Sequence, residues 1–275
     1  MTGLERIAAA FASVRGQGRA ALIPYFSIGF PNRKTSIAVI ETIATSGADL
    51  IEVGLPFSDP LADGRSIQHS TQVALENGTT TADCLEAVRE LRKAGLAQPL
   101  LLMGYYNPIL TFGEERFVQE AQTAGADGLI VPDLPVDEAG RLEQACSQMG
   151  LALVYLVAPT TTGARLTHVA QHSTGFVYIV SLTGVTGARS RVAEGLEAFL
   201  GRVRAVTDKP LAVGFGISTP EQACRVGRMA EGVIVGSALI DAVEKGSDTV
   251  EAAGAFVRGL YEGLKRKVAF IEPKG

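Results

Sequence analysis

Little in this chain supports a disulfide frame or a bound metal. Its three cysteines, Cys84, Cys146 and Cys224, are odd in number, far apart and each set in a helical pattern. No C-x-x-C occurs, so they read as small buried hydrophobes of a reducing compartment. Histidine is equally scarce, with three residues. His168 and His172 stand i, i+4 on one helical pattern without a third ligand nearby, and His69 reads as a helix-surface residue, so no metal is expected. The net charge is −4 and Lys and Arg are scattered, which gives no footing for nucleic acid. No apolar run approaches the roughly 18 residues a membrane span needs. Serine elbow, Walker loop and a G-x-G-x-x-G in dinucleotide context are all missing. The N-terminus lacks a signal-peptide shape. Thr2 to Val14 is Arg-containing and amphipathic, as transit peptides are, but the first strand begins by Ala20 and leaves no room for a removable extension. A soluble, cytoplasmic protein is the expectation.

What the chain has in quantity is alternation. Leu4, Ile7, Ala8 and Phe11 mark a leading helix that ends near Gly16-Gln-Gly18. Apolar strands are then expected at Ala20–Gly29, Asp49–Val53, Leu100–Met103, Gly128–Val131, Leu151–Val157, Phe176–Val180, Leu211–Val213 and Gly232–Val235. Helices fall between them at about 35–46, 66–94 with a break at Gly78-Thr79, 114–124, 137–149, 162–172, 193–205 and 220–229. A last one follows Asp248, a plausible N-cap, to about Lys267. Runs this apolar suit strands covered on both faces, the mark of parallel sheets. The helix-to-strand joints repeat as Gly47-Ala-Asp-Leu-Ile51, Gly125-Ala-Asp-Gly-Leu-Ile130 and, more weakly, Ala230-Glu-Gly-Val-Ile-Val235, each with an acid just before the strand. No linker interrupts the series. The pattern predicts an α/β fold: one (β/α)8 TIM barrel over residues 1–275 with an extra N-terminal helix. An open doubly wound sheet is the rival.

In a barrel, chemistry sits at the C-terminal ends of the strands. The stretch Asp49-Leu-Ile-Glu-Val-Gly-Leu-Pro-Phe-Ser-Asp-Pro-Leu-Ala-Asp-Gly64 puts Glu52 inside a strand and returns Asp59 and Asp63 over its end. Alternation places Leu50 and Glu52 on one face and Ile51 and Val53 on the other. A carboxyl in apolar surroundings is costly unless paired or used, and its pKa rises. As structural residues, Glu52 would be held by a salt bridge and Asp63 by turn hydrogen bonds. As functional ones, they form an acid/base pair. Asp59 could cap a turn, bind substrate or face a partner. Gly184-Val-Thr-Gly187, Gly214-Phe-Gly-Ile-Ser218 and Gly236-Ser237 follow the sixth, seventh and eighth strands. Small residues and a helix N-terminus there suit a phosphate group, although any one pair alone reads as a tight turn. Thr183 to about Arg191 looks like a mobile lid. Tyr178 is either a core aromatic or a ring and hydroxyl offered to the barrel mouth.

Taken together, Tyr25-Phe-Ser-Ile-Gly-Phe-Pro31, Ile51 to Gly64, Met103-Gly-Tyr-Tyr-Asn-Pro108, Val131-Pro-Asp-Leu-Pro135, Gly184-Val-Thr-Gly-Ala188 and Val213-Gly-Phe-Gly-Ile-Ser218 resemble the alpha subunit of tryptophan synthase, in order along essentially the whole chain. The resemblance implies a lyase that cleaves indole-3-glycerol phosphate to indole and glyceraldehyde 3-phosphate. It implies Glu52 as general acid/base, Asp63 as second catalytic carboxylate, and Tyr25, Tyr178 and Thr186 as substrate-binding. Gly187, Gly214, Gly216, Gly236 and Ser237 match the phosphate-binding backbone, and Asp59 and Pro135 match positions facing a beta subunit in an alpha2-beta2 heterotetramer. No cofactor is implied here; pyridoxal phosphate is expected on the beta subunit alone. One departure is Leu182, where some members carry Arg on the approach to the lid. The alternatives are a free-standing indole-releasing lyase, another phosphate-binding barrel such as a sugar-phosphate isomerase, and a barrel kept only as a binding subunit.

Overall fold

Each apolar run of the sequence forms a stave of one parallel sheet. The computed structural model describes residues 1–180, 189–214 and 216–266, with the backbone alone for 189–194. The strands are β1 (Ala21–Ser27), β2 (Ile51–Gly54), β3 (Leu100–Met103), β4 (Gly128–Ile130), β5 (Ala152–Val154), β6 (Leu156–Val157), β7 (Val177–Val180), β8 (Leu211–Gly214) and β9 (Gly232–Val235). They are ordered β5-β4-β3-β2-β1-β9-β8-β7-β6. The two outermost members are one run, interrupted only at Tyr155. The first half of that stave pairs with β4 and the second with β7, so the chain itself closes the ring. The interruption has a local cause. The Tyr155 N–H donates to Ser173 Oγ at 3.0 Å, while its carbonyl accepts from Tyr178 N, also at 3.0 Å. Nine strands among the described residues therefore make the eight expected staves.

The helices are α1 (Gly3–Gly16), α2 (Arg33–Thr45), α3 (Arg65–Glu76), α4 (Thr81–Lys93), α5 (Tyr106–Phe112), α6 (Glu114–Ala124), α7 (Gly140–Met149), α8 (Gly163–His172), α9 (Arg189–Arg204), α10 (Pro220–Val226), α11 (Ser237–Lys245) and α12 (Thr249–Lys265). Side-chain caps fix several starts: Thr2, Thr80 and Thr219 form capping boxes, and Asp248 accepts from Val250 N and Glu251 N. Several helices differ from expectation, α5 and α7 among them. Helix α5 arises in a stretch for which no helix is expected; Pro108 is its third residue, where no intrahelical N–H is needed. Helix α7 begins at Gly140 rather than Asp137, because Asp137 is drawn to Arg165 and His168 on α8.

Two apolar compartments result. One lies between sheet and helices, with Phe26, Ile51, Val53 and Phe117 among its fully buried members. The other fills the barrel with Ile23, Leu50, Leu101, Phe176 and Ala212. Helix α1 closes the N-terminal end of this inner core through Ile7, Phe11 and Val14, with Phe11 5.7 Å from Phe176. The repeated joint acids have a common role there. Asp49, Asp127 and Glu231 accept from the backbone N–H of Leu22, Leu100 and Leu211, at the start of the preceding strand. Each also pairs with an arginine: Arg19, Arg92 and Arg204 respectively. Cys84 and Cys146 are buried as expected; Cys224 is only half-buried, with Arg228 Nη2 3.4 Å from its sulfur.

Candidate active site

Strand β2 carries Glu52 on its inward face, and β1 sets Tyr25 beside it in register. Glu52 is 1% exposed and neither of its carboxyl oxygens has a hydrogen-bond partner among the described residues. Burial, followed by the nearby charge of Asp63, pushes its pKa up to about 8. A carboxyl so placed is protonated at neutral pH, and no salt bridge among the described residues explains it.

Asp63 reaches the same space from the loop after β2. A turn bond from its N–H to Pro60 O at 3.0 Å shapes the loop, and Gln68 Nε2 donates to its carbonyl at 2.9 Å. Burial raises Asp63 to about 6 against the opposing hydrogen bond from Tyr105, whose hydroxyl donates to Oδ2 at 3.0 Å. The same Tyr105 oxygen accepts from Ala62 N at 2.9 Å. Tyr105 had no role in the sequence reading. Its signal was position: it stands two residues beyond β3, at the barrel mouth.

Tyr25 and Tyr178 line the same cavity, each with its hydroxyl over a glycine. A Cβ on Gly54 would lie 2.2 Å from the Tyr25 hydroxyl, and one on Gly214 would lie 2.5 Å from that of Tyr178. The glycines permit close approach rather than a special backbone. Gly214→Ala should force the Tyr178 ring into the cavity and raise KM for a cavity-filling substrate roughly tenfold, the usual scale of overpacking. An unchanged KM would show that the ring has room to yield.

The cavity, about 250 Å³, is lined by Tyr25, Glu52, Asp63, Tyr178 and, at its far side, Gly216, Gly236 and Ser237. Gly216 has φ +77°, and Gly236 and Ser237 open α11, whose first N–H groups face an anion favourably. Gly214 does not line the cavity; it packs against Tyr178. Thr186, Gly187, Leu182 and most of the expected lid lie outside the described residues. Asp59 and Pro135 are exposed on loops after β2 and β4, at the same end of the barrel as Glu52. The histidines carry surface pairs: His69 with Glu244, His168 with Asp137, and His172 with Glu143. Among the described residues no group of three possible metal ligands occurs.

The family model described as "Tryptophan synthase alpha chain" matches residues 11–268. The chain belongs to the tryptophan synthase alpha chain family. The tryptophan synthase alpha chain of Chloroflexus aggregans is 49% identical over 265 residues, covering 96% of this chain and 99% of that one. That of Acidiphilium cryptum is 50% identical over 269 residues, 98% of each. Among solved structures, Mycobacterium tuberculosis tryptophan synthase superposes with a TM-score of 0.88 at 40% identity, over 95% of this chain and 99% of that chain. The Legionella pneumophila tryptophan synthase alpha subunit gives 0.87 at 37%, over 94% and 98%. The resemblance carried by the motifs thus extends through the barrel, and tryptophan synthase alpha chains share its architecture.

Proposed function

We propose that this chain performs the alpha reaction of tryptophan synthase, the retro-aldol cleavage of indole-3-glycerol phosphate to indole and glyceraldehyde 3-phosphate, with Glu52 as proton carrier. The observation that supports this most is the buried Glu52 carboxyl lining the cavity, without a hydrogen-bond partner among the described residues. Cleavage needs indole C3 protonated, so that the ring can take the electron pair of the breaking carbon–carbon bond. It also needs the adjacent side-chain hydroxyl to lose its proton as the aldehyde forms. A carboxyl held near pH 8 gives the first proton and accepts the second, ending as it began. Asp63, ionised above about pH 6, accepts from the indole N–H and stabilises the positive charge that develops on the ring.

In this reading Tyr25 and Tyr178 wall the indole, with Thr186 contributing from the lid. Gly216, Gly236 and Ser237, with Gly187, hold the phosphate, whose binding energy places the reacting carbon over Glu52, while Gly214 seats the Tyr178 ring. Every proton and electron pair is accounted for by side chains and substrate, so the step calls for no organic cofactor or metal. Membership of the family implies a beta-subunit partner. We assign Asp59 and Pro135 to that contact, in an alpha2-beta2 heterotetramer whose beta subunits carry pyridoxal phosphate. Residues 1–275 are taken as one barrel domain. No helix among the described residues is long and apolar enough to cross a membrane, and a cytoplasmic site is proposed.

Indole release from indole-3-glycerol phosphate, with and without a beta subunit, tests the reading. Weak release that rises sharply with the partner is expected. High release that ignores the partner would instead make this a free-standing lyase, and none in either case would overturn the function. Asp63→Asn should lower kcat by roughly 10²–10³ while affinity for glycerol 3-phosphate stays within about twofold. Near-normal turnover would remove Asp63 from the mechanism.

A further inference from the structure

We propose that a buried chain of hydroxyl groups from β1 to α3 sets the position of Asp63 against Glu52, with Ser27 and Ser70 as positioning residues. The inference rests on the reaction proposed above. The Tyr25 hydroxyl lies 3.0 Å from Ser27 Oγ, which lies 2.9 Å from Ser70 Oγ. Ser70 in turn donates to the carbonyl of Ile67 at 2.9 Å. A hydroxyl has one proton to give. With that of Ser70 committed to Ile67, Ser27 must donate to Ser70, and Tyr25 to Ser27. The chain therefore runs one way, from the cavity wall to the helix backbone.

Its members are sealed from water: Tyr25 is 4% exposed, and Ser27 and Ser70 are both 0% exposed. Alanine would satisfy burial at either serine position, and a buried hydroxyl is favourable only when bonded. The two ends of the chain explain what it connects. Tyr25 is paired in register with Glu52. Ile67 belongs to the first turn of α3, which begins two residues after Asp63, and it also lines the cavity. The hydroxyl chain thus links the strand beside the proton carrier to the helix that anchors the second carboxylate. Its length fixes their separation, to which the chemistry is steeply sensitive. Asp63's charge also contributes to the raised pKa of Glu52, so a displaced Asp63 has a visible signature.

The test uses the full-length chain with Ser27→Ala, Ser70→Ala, Tyr25→Phe and the double variant Ser27→Ala/Tyr25→Phe. For each serine variant kcat for indole release should fall roughly tenfold to a hundredfold, as expected for sub-ångström misplacement. Affinity for glycerol 3-phosphate should hold within about twofold, and the alkaline limb of the kcat–pH profile should shift to lower pH. The double variant should be no slower than the slower single variant, because both changes interrupt the same chain. If Ser27→Ala does not fold, Tyr25→Phe interrupts the chain from its other end. A fall in Tm with kcat and the alkaline limb unchanged would reduce the chain to packing and overturn the proposal, as would losses that multiply in the double variant. The parent measured alongside separates the two levels. An inactive parent overturns the proposed reaction and this inference with it, whereas an active parent with unaffected variants overturns the positioning role alone.

Discussion

Glu52→Gln should lose roughly a thousandfold or more in kcat while binding glycerol 3-phosphate normally, and should unfold less readily than the parent at alkaline pH. The first part follows from its place as sole proton carrier, since general acid–base groups typically contribute about two to four orders of magnitude. The amide is near in size and has no proton of suitable acidity. The second part follows from linkage. Glu52 is held at about 8 when folded, against an ordinary 4.5. Its protonated form is favoured in the folded state, so the contribution to stability is full below about pH 4.5 and is lost as pH rises through 8. Glutamine does not ionise. Its advantage over the parent should therefore grow by about 2 to 3 kcal/mol between pH 6 and pH 9, the integral of that shift. Urea midpoints at the two pH values measure it. A constant difference would mean that Glu52 titrates normally and is not the acid. In the parent, kcat should be bell-shaped, with limbs near 6 and 8 that belong to the Asp63–Glu52 pair jointly.

At the opposite end of the barrel, Asp127→Ala should cost about 3 to 5 kcal/mol without altering the chemistry, the range for breaking a buried ion pair from one side. Asp127 is 2% exposed. It lies 2.8 Å from Arg6 Nε of α1 and 2.6 Å from Arg92 Nη2 of α4, and it accepts from Leu100 N at 2.8 Å. Burial lowers Arg92 to about 10 even with this carboxylate beside it. Without the carboxylate, Arg92 would keep its bonds to the carbonyls of Leu96, Gln98 and Gly125 but have no counter-charge. Arg92→Met in the Asp127→Ala background should recover part of the loss. Denaturant midpoints with unchanged kcat are the expected result; a loss under about 1 kcal/mol would show that the arginines find other partners or water.

The barrel was legible because a strand covered on both faces is an apolar run, and eight such runs alternate with helical periodicity. Glu52 and Asp63 were legible for the converse reason: each is a carboxylate where apolar residues or a turn would serve better. What escaped depends on contacts between distant segments. Tyr105 meets Asp63 only because the loops after β2 and β3 fold over one another. Ser27 and Ser70 read as ordinary polar residues until strand and helix bring them within 2.9 Å. Gly214 carried a phosphate signal, yet its nearest constraint is the Tyr178 ring. The break at Tyr155 was hidden because it hangs on a serine hydroxyl that takes over a ladder hydrogen bond.

The closure of the ring has a consequence for biosynthesis. Among the described residues all strand pairings but one join neighbours along the chain; the exception, β1 with β9, brings Ala21 against Gly232. A nascent chain can zip each new strand onto the one before it, but the oldest strand keeps an open edge until the last has left the ribosome. Over that interval β1 is the exposed template most prone to pair with the wrong partner. The α1 plug waits too, because Phe176, on which Phe11 rests, is synthesised late.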